Sequence, residues 1–156
     1  MDSEIRWWFT GFEAGLAALP EGERDTLLHA CAKNCLQMGM LEFYQGVYEQ
    51  TGGSIDAFFQ TLGEMGGVGT EVVRPGKEFW LIFHQCTCSL HTQGYINTSL
   101  LCECSRQSVL HILKELWPEQ RFDVDPEGTI LNGAQDCRFH IVEHEERVEG
   151  GDEAEI

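Results

Sequence analysis

Apolar residues in the first half of the chain recur every three or four positions, which is the period of an amphipathic helix. Breaks in this pattern divide the half into separate helices. Pro20 ends the first helix, Gly39 interrupts the second, and Ser54 is a natural N-cap for the next. The predicted helical regions are residues 3–19, 21–49 and 55–65.

From Gly69 onward the pattern becomes that of strands, with one more helical pattern between them. The predicted strands are residues 70–74, 78–83, 121–124 and 137–142, and the inserted helix covers residues 105–117. Helices therefore come first and strands follow, joined by tight turns. The sequence predicts an α+β fold, with N-terminal helices followed by an antiparallel-leaning sheet that has one inserted helix.

Residues 79–83 are apolar at every position, as expected for a central strand covered on both faces. The inserted helix is apolar along one side only. That side is formed by Val109, Ile112, Leu113 and Leu116. We therefore expect strand 79–83 in the middle of the sheet and the helix packed across one face.

In the second helical region, Leu28, Cys31, Cys35 and Met38 recur at steps of three and four. This spacing predicts one stripe facing the core. Cys31 and Cys35 stand four residues apart, a spacing that could also place two sulfurs on one metal ion. Core packing is the favoured interpretation, because free cysteine is among the most buried residue types.

The charge of the chain narrows the classes of partner. At 156 residues it fits one domain, predicted over residues 1–144, followed by an acidic, apolar-poor and disordered tail at 145–156. The formal net charge is −16, and the ten Lys and Arg residues are spread along the chain. A nucleic acid or an anionic membrane needs clustered positive charge, so neither is an expected partner.

The N-terminal apolar stretch does not resemble a signal peptide or an anchor. It contains Glu13, has one preceding basic residue and is too short to cross a bilayer. We therefore expect a cytoplasmic protein. In a reducing cytoplasm, seven cysteines indicate metal binding or catalysis more than disulfides.

Four of the cysteines form two Cys-x-Cys pairs, Cys86 with Cys88 and Cys102 with Cys104. If strand 79–83 continues, His84 and the first pair share one face. The second pair directly precedes helix 105–117, where the helix dipole lowers a thiol pKa and favours the thiolate. The pattern therefore predicts a thiolate site.

A metal ion is one interpretation of this site. The predicted ligands come from Cys86, Cys88, Cys102, Cys104 and Cys137, with His84 or His91 as a nitrogen alternative. Soft thiolates suit zinc or an iron–sulfur cluster, although structural zinc sites more often use Cys-x2-Cys. Cysteines that only pack, or a reversible disulfide between the pairs, are the alternatives.

Catalysis is the other interpretation. Cys102 or Cys104 would be the nucleophile and His84 or His91 the base. Glu103 could exchange a proton, but a first-turn carboxylate stabilised by the helix dipole is the more common role. Two further candidates are expected to be structural. His111 lies opposite the apolar side of its helix and should face solvent, and Arg138 should pair with a carboxylate.

The chain from about residue 79 to residue 141 resembles the L-2-amino-thiazoline-4-carboxylic acid hydrolase family. The motifs that carry the resemblance are Cys86-Thr87-Cys88, Cys102-Glu103-Cys104-Ser105 and a final strand containing Cys137-Arg138-Phe139-His140-Ile141. The last strand is also similar to the end of 4-vinyl reductase domains. The resemblance implies a small-molecule ligand, a possible hydrolase activity that opens a ring containing sulfur and nitrogen, and a homodimer.

Overall fold

The computed structural model describes residues 2–144, and the predicted acidic tail at residues 145–156 lies outside this part of the chain. The first half is helical, with α1 (Ser3–Ala18), α2 (Glu21–Leu36), α3 (Met40–Gln50) and α4 (Ile55–Glu64). The second half contains β1 (Val68–Arg74), β2 (Glu78–Phe83), the short α5 (Ser89–Thr92), α6 (Cys102–Leu116), β3 (Arg121–Gly128) and β4 (Cys137–His144). Short 3-10 turns lie at Ser99–Leu101 and Ile130–Asn132. The prediction of an α+β fold is confirmed.

The helix ends follow local sequence signals. The side chain of Asp2 accepts a hydrogen bond from the Glu4 N–H at 3.0 Å and caps α1. Ser54 caps α4 in the same way, accepting from the Ala57 N–H at 3.2 Å. Gly39 separates α2 from α3 with φ of 123°, a backbone conformation that favours glycine. The predicted breaks are therefore where the helices end.

The four strands form one antiparallel sheet in the order β1-β2-β4-β3. β2 lies between β1 and β4, as predicted. Helix α6 packs across one face of the sheet, where its apolar side meets Phe79, Phe139 and Ile141. We call this set of buried side chains the main core; it also includes Phe58 and Phe59 of α4.

The prediction that β2 is covered on both faces is wrong. Phe79 and Leu81 are buried, whereas Trp80 and Ile82 on the opposite face are partly exposed. Trp80 stacks on His140 of β4, with ring centroids 4.7 Å apart. The apolar run is continuous because an aromatic cross-strand pair covers part of the outer face, not because a second layer does.

A smaller set of buried residues lies apart from the main core. We call it the second core; its members are Leu16, Leu28, Ile96 and Leu101. Hydrogen bonds hold α1 to the segment after α5. Arg6 Nη1 donates to the Gly94 carbonyl at 2.9 Å, and the Asn97 N–H donates to Glu13 Oε2 at 3.0 Å.

Helix α2 buries a different stripe from the one predicted. Leu28, Ala32 and Leu36 are buried, whereas Cys31 and Cys35 are exposed. Met38, after the end of α2, is 85% exposed. The helix packs through the positions next to the two cysteines, because the small side chain of Ala32 allows close approach there. Core packing of Cys31 and Cys35 is therefore wrong.

Among residues 2–144, no helix is long and apolar enough to span a bilayer.

Candidate functional site

Helix α6 begins at Cys102, three residues before the predicted start. The 3-10 turn before it is capped by Thr98, whose hydroxyl accepts from the Leu100 N–H at 3.2 Å. Cys102 and Cys104 therefore lie in the first turn of α6. β2 ends at Phe83, so Cys86 and Cys88 lie in an irregular segment. The prediction that His84 and this pair continue the strand is wrong.

Three of the thiols form a first group at the junction of α6 and β4, namely Cys86, Cys102 and Cys137. Cys137 packs against the main core, and its sulfur accepts a hydrogen bond from the Ile130 N–H at 3.3 Å. Cys102 is close enough to Cys137 and Cys86 for the thiol charges to interact, and the side chain of Thr129 lies beside it.

The other four thiols, which we call the second group, are Cys31 and Cys35 on the exposed side of α2, Cys88 before α5 and Cys104 in the first turn of α6. Cys88 and Cys104 both pack against the second core. The charges of Cys31, Cys88 and Cys35 act on Cys104. Cys102 interacts with both Cys104 and Cys88, so the two groups adjoin. All seven cysteines are free thiols.

The expected lowering of the thiol pKa at the start of α6 is wrong. Burial raises the pKa of Cys104 to about 12, and the charges of the neighbouring cysteines add to this effect. Burial also raises the pKa of Cys102, against the lowering effect of the Thr129 side chain. The pKa of Cys137 is raised by burial, while the bond from the Ile130 N–H opposes the change. Desolvation is the largest influence on the pKa of all three thiols, and it favours the neutral, protonated form.

The residues do not fit a preassembled metal centre. Among residues 2–144, no three His, Cys, Asp or Glu side chains stand close enough together to hold a metal ion. A structural thiolate site needs four ligands at about 2.3 Å from zinc, with their protons removed. The arrangement of the free thiols therefore gives no support to zinc or an iron–sulfur cluster.

A cleft of about 220 Å³ lies beside Cys102. One wall is the start of α2, with Glu21, Arg24 and Asp25. The opposite wall comes from the first turn of α6 and the segment joining β3 to β4. Its polar residues include Cys102, Glu103, Thr129 and Asn132. Thr129 is 7% exposed, so it contributes a buried polar side chain to this wall.

A network of hydrogen bonds fixes Glu103 at the edge of the cleft. Arg106 Nη1 donates to Glu103 Oε2 at 2.7 Å, and Gln107 Nε2 donates to the same oxygen at 2.8 Å. Gln107 Oε1 in turn lies 3.0 Å from His29 Nδ1 of α2, which must donate because the amide oxygen only accepts. Glu103 lies in the first turn of α6, as expected, and is held there by side chains one turn along the helix.

Sequence reasoning missed His29, Gln107 and Thr129. The sequence does contain a signal for the part of the network within α6. On a helix, residues three and four positions apart are neighbours, which is the spacing of Arg106 and Gln107 from Glu103. His29 and Thr129 had no such signal, because tertiary packing brings them to the start of α6.

The predicted histidine roles are not supported by the positions of the side chains. His84 is exposed and lies against Gly69 of β1. His91 Nδ1 lies 3.2 Å from the Ile96 carbonyl, a contact within the connecting segment. His111 is 8% exposed, so the prediction that it faces solvent is wrong; it meets the ring of His29 at a centroid distance of 5.7 Å.

Arg138 pairs with Asp136 at 3.0 Å. This contact agrees with the predicted use of Arg138 as an ion-pair partner for a carboxylate of the protein itself.

Comparison with known proteins gives no family. No protein-family model and no curated protein matches the chain. The solved structures that are similar at low identity include the following two. An H-NOX protein from S. oneidensis in the Fe(II)NO ligation state is 12% identical, with a TM-score of 0.47, over 93% of this chain and 77% of that one. A trafficking protein particle complex subunit 3 from Naegleria fowleri, covalently bound to palmitic acid, is 11% identical, with a TM-score of 0.41, over 90% and 93%. Scores this low carry no argument about function.

Proposed function

We propose that the protein is a small-molecule-binding domain whose ligand occupies the cleft at the start of α6. The observation that carries this proposal is the meeting of the Cys102 thiol, the Glu103 carboxylate and the buried Thr129 side chain on one wall of the cleft. Small-molecule sites are concave and contain a few fixed polar groups that set the orientation of the ligand. The network from Arg106 and Gln107 supplies that fixation for Glu103.

The size and charge of the cleft define the class of ligand. A volume of about 220 Å³ is that of roughly seven liquid water molecules, which suits a compact metabolite. The charge of Glu103 is balanced by Arg106, which lies 2.7 Å from it. The other two carboxylates of the lining, Glu21 and Asp25, face one cation of the lining, Arg24. Arg24 already donates to the Leu16 carbonyl at 3.2 Å and the Leu19 carbonyl at 3.0 Å. The excess of negative over positive charge in the lining favours a ligand with a protonated nitrogen, such as a small cyclic amidine.

A calorimetric titration with L-2-amino-thiazoline-4-carboxylic acid tests the proposal, because this compound is small, carries a basic nitrogen and is the one that the family resemblance implies. We expect binding that is weakened at least tenfold by Glu103→Gln, and equally by Asp25→Asn. Glu71→Gln is the matched control, since Glu71 is an exposed carboxylate on β1. No binding, or equal binding by all the variants, would contradict the proposal.

Hydrolysis of such a ring is a second candidate function, favoured by the position of Cys102 beside Glu103 in the same cleft. The raised pKa of Cys102 means that the thiol must lose its proton before it can attack. Product formation by the wild-type protein, abolished in Cys102→Ser, would support the activity. If the protein binds the compound but forms no product, the proposed binding function stands and the proposed hydrolase activity is contradicted.

Four predictions from the sequence stay predictions. They are metal binding, a redox response of the two Cys-x-Cys pairs, a cytoplasmic location and the pairing of two copies. Metal analysis of protein purified without oxygen tests metal binding. Trp7 and Trp8 of α1 are 74% and 65% exposed, and pairing would have apolar surface to cover there.

A further inference from the structure

Helix α2 carries two thiols that neither the cores nor the cleft use. Cys31 and Cys35 are both exposed and lie outside the buried stripe of this helix. The residues of α2 that line the cleft belong to its first two turns. Free cysteine is among the most buried residue types, so two exposed thiols on one helix are unusual and need an explanation of their own.

The helical backbone fixes the spacing of the two thiols. Both lie within α2, which spans Glu21–Leu36, and they are four positions apart. Residues at this spacing are neighbours on the helix surface, with Cβ atoms about 5–6 Å apart. A disulfide needs Cβ atoms about 3.5–4.5 Å apart, so the two sulfurs cannot join directly while the helix is intact. Their spacing instead favours an atom held between them.

One metal ion can span this gap. The bond between a thiolate and a metal ion is about 2.3 Å long, so two sulfurs on one ion lie up to about 4.6 Å apart. Each sulfur is one bond from its Cβ, and rotation about χ1 turns it toward the other side chain. Because both side chains are exposed, this rotation displaces no packed neighbour. The two sulfurs therefore reach a common ion without a change in the backbone.

The donor atoms select the kind of ion. A structural zinc ion takes four ligands, whereas residues 2–144 contain no group of three or more His, Cys, Asp or Glu side chains able to hold a metal ion. Monovalent copper is a soft ion that prefers sulfur and is stable with two thiolates. Met38 adds a thioether one turn further along. Its N–H donates to the Cys35 carbonyl at 3.1 Å, and its side chain is 85% exposed.

We infer that Cys31 and Cys35 form a binding site for one copper(I) ion on the exposed side of α2. Each thiol gives its proton to water on binding, and the copper stays monovalent. The formal net charge of −16 favours the approach of a cation. The site does not depend on the ligand proposed for the cleft. A protein that binds copper(I) here but no ring compound would contradict the binding proposal alone.

The test adds one equivalent of copper(I), supplied as its acetonitrile complex, to the full-length reduced protein without oxygen. Iodoacetamide then labels the thiols, and mass spectrometry of tryptic peptides gives the labelling rate of each. Trypsin cuts after Lys33 and Lys77 but not before Pro75, so Cys31 falls in residues 25–33 and Cys35 in residues 34–77, each without another cysteine. We expect copper(I) to slow the labelling of both thiols at least tenfold.

Variants show whether the two sulfurs act together. In Cys31→Ser, copper(I) should no longer slow the labelling of Cys35, and Cys35→Ser should have the same effect on Cys31. Neither substitution removes a core contact, since both side chains are exposed. The matched control combines Cys31→Ser with Ala30→Cys, at another exposed position. It keeps the number of exposed thiols but sets them five positions apart, about 140° around the helix, so copper(I) should not protect this pair.

The inference is overturned if copper(I) leaves both thiols of the wild type as reactive as before. It is also overturned if Cys35 stays protected in Cys31→Ser, or if the displaced pair is protected as well as the natural one, because the two sulfurs would then not share an ion. One equivalent of zinc chloride should protect neither thiol. Protection by zinc equal to that by copper(I) would contradict a site selective for the soft monovalent ion.

Discussion

Gly63 lies where helix α4 approaches strand β1. A Cβ at this position would collide with Oγ1 of Thr70, whose hydroxyl donates to the Phe59 carbonyl at 2.7 Å. Gly63→Ala should therefore destabilise the protein by about 1–3 kcal/mol, although alanine ordinarily stabilises a helix. Urea unfolding measures the change.

Gly46, within α3, is the matched control for Gly63→Ala. A Cβ there would meet nothing within 4 Å, so Gly46→Ala should stabilise by about 0.5–1 kcal/mol. Equal effects of the two substitutions would show that the contact between Gly63 and Thr70 is not tight.

His111 gives the protein a sensitivity to acid. Burial lowers its pKa, and His29, Lys33 and Lys114 add to this, against the opposing effect of Glu115 at 3.8 Å. The folded-state pKa therefore lies below the unfolded value of about 6.5, so the unfolded chain takes up the proton first as the pH falls. Stability should be full above about pH 7 and decrease as the pH falls through 6.5 towards the folded-state pKa.

His111→Leu should make the loss of stability between pH 7 and pH 5 shallower, which thermal unfolding at a series of pH values measures. His84→Asn, at an exposed position, serves as the control and should follow the wild type. If the stability of His111→Leu falls with pH as steeply as that of the wild type, other groups cause the acid sensitivity.

At the scale of elements, Arg106 joins helix α6 to the edge of the sheet. Its Nε donates to the carbonyl of Val124, a fully buried residue of the edge strand β3, at 2.6 Å, while its Nη1 holds Glu103. Arg106→Met leaves that carbonyl unpaired and should cost about 1–3 kcal/mol. It should also weaken ligand binding in the cleft by releasing Glu103.

Arg138→Met is the comparison for Arg106→Met. Arg138 pairs with Asp136 and its side chain is half exposed, so its loss should change the stability by less than about 1 kcal/mol. Denaturant unfolding of both variants separates the two cases, and a cost that does not differ between them would contradict the role of Arg106 at the strand edge.

The elements that sequence predicted well have local signals. Pro20, Gly39 and Ser54 set helix ends through backbone geometry and capping, and the apolar run of β2 placed it inside the sheet. No comparable signal shows which way Cys31 and Cys35 face. The stripe that contains them is offset by one position from the stripe of Ala32 and Leu36, and both consist of small or apolar residues. The first turn of α6 was misjudged for a different reason. Its dipole is a local property, whereas the burial that raises the thiol pKa depends on the packed neighbours.

At the scale of the molecule, the net charge of −16 opposes the compact state, because like charges repel more strongly in the folded chain. Moderate salt screens this repulsion over a distance of about 10 Å at 0.1 M. The melting temperature should therefore rise between 10 and 200 mM sodium chloride, as measured by calorimetry. A fall would mean that ion pairs such as Lys77 with Glu143 outweigh the general repulsion.

Because the second core is separate from the main core, we expect the molecule to open as two cooperative units. The main core contains sixteen buried side chains and the second core four, so opening the second core exposes far less apolar surface. Native-state hydrogen exchange should follow this division, with the amides of α1 and residues 95–101 exchanging through a partial opening while β2 and β4 exchange only on global unfolding. Cys88 and Cys104 pack against the smaller unit and are partly exposed, so a brief excursion of α1 would expose both thiols further while the sheet remains intact.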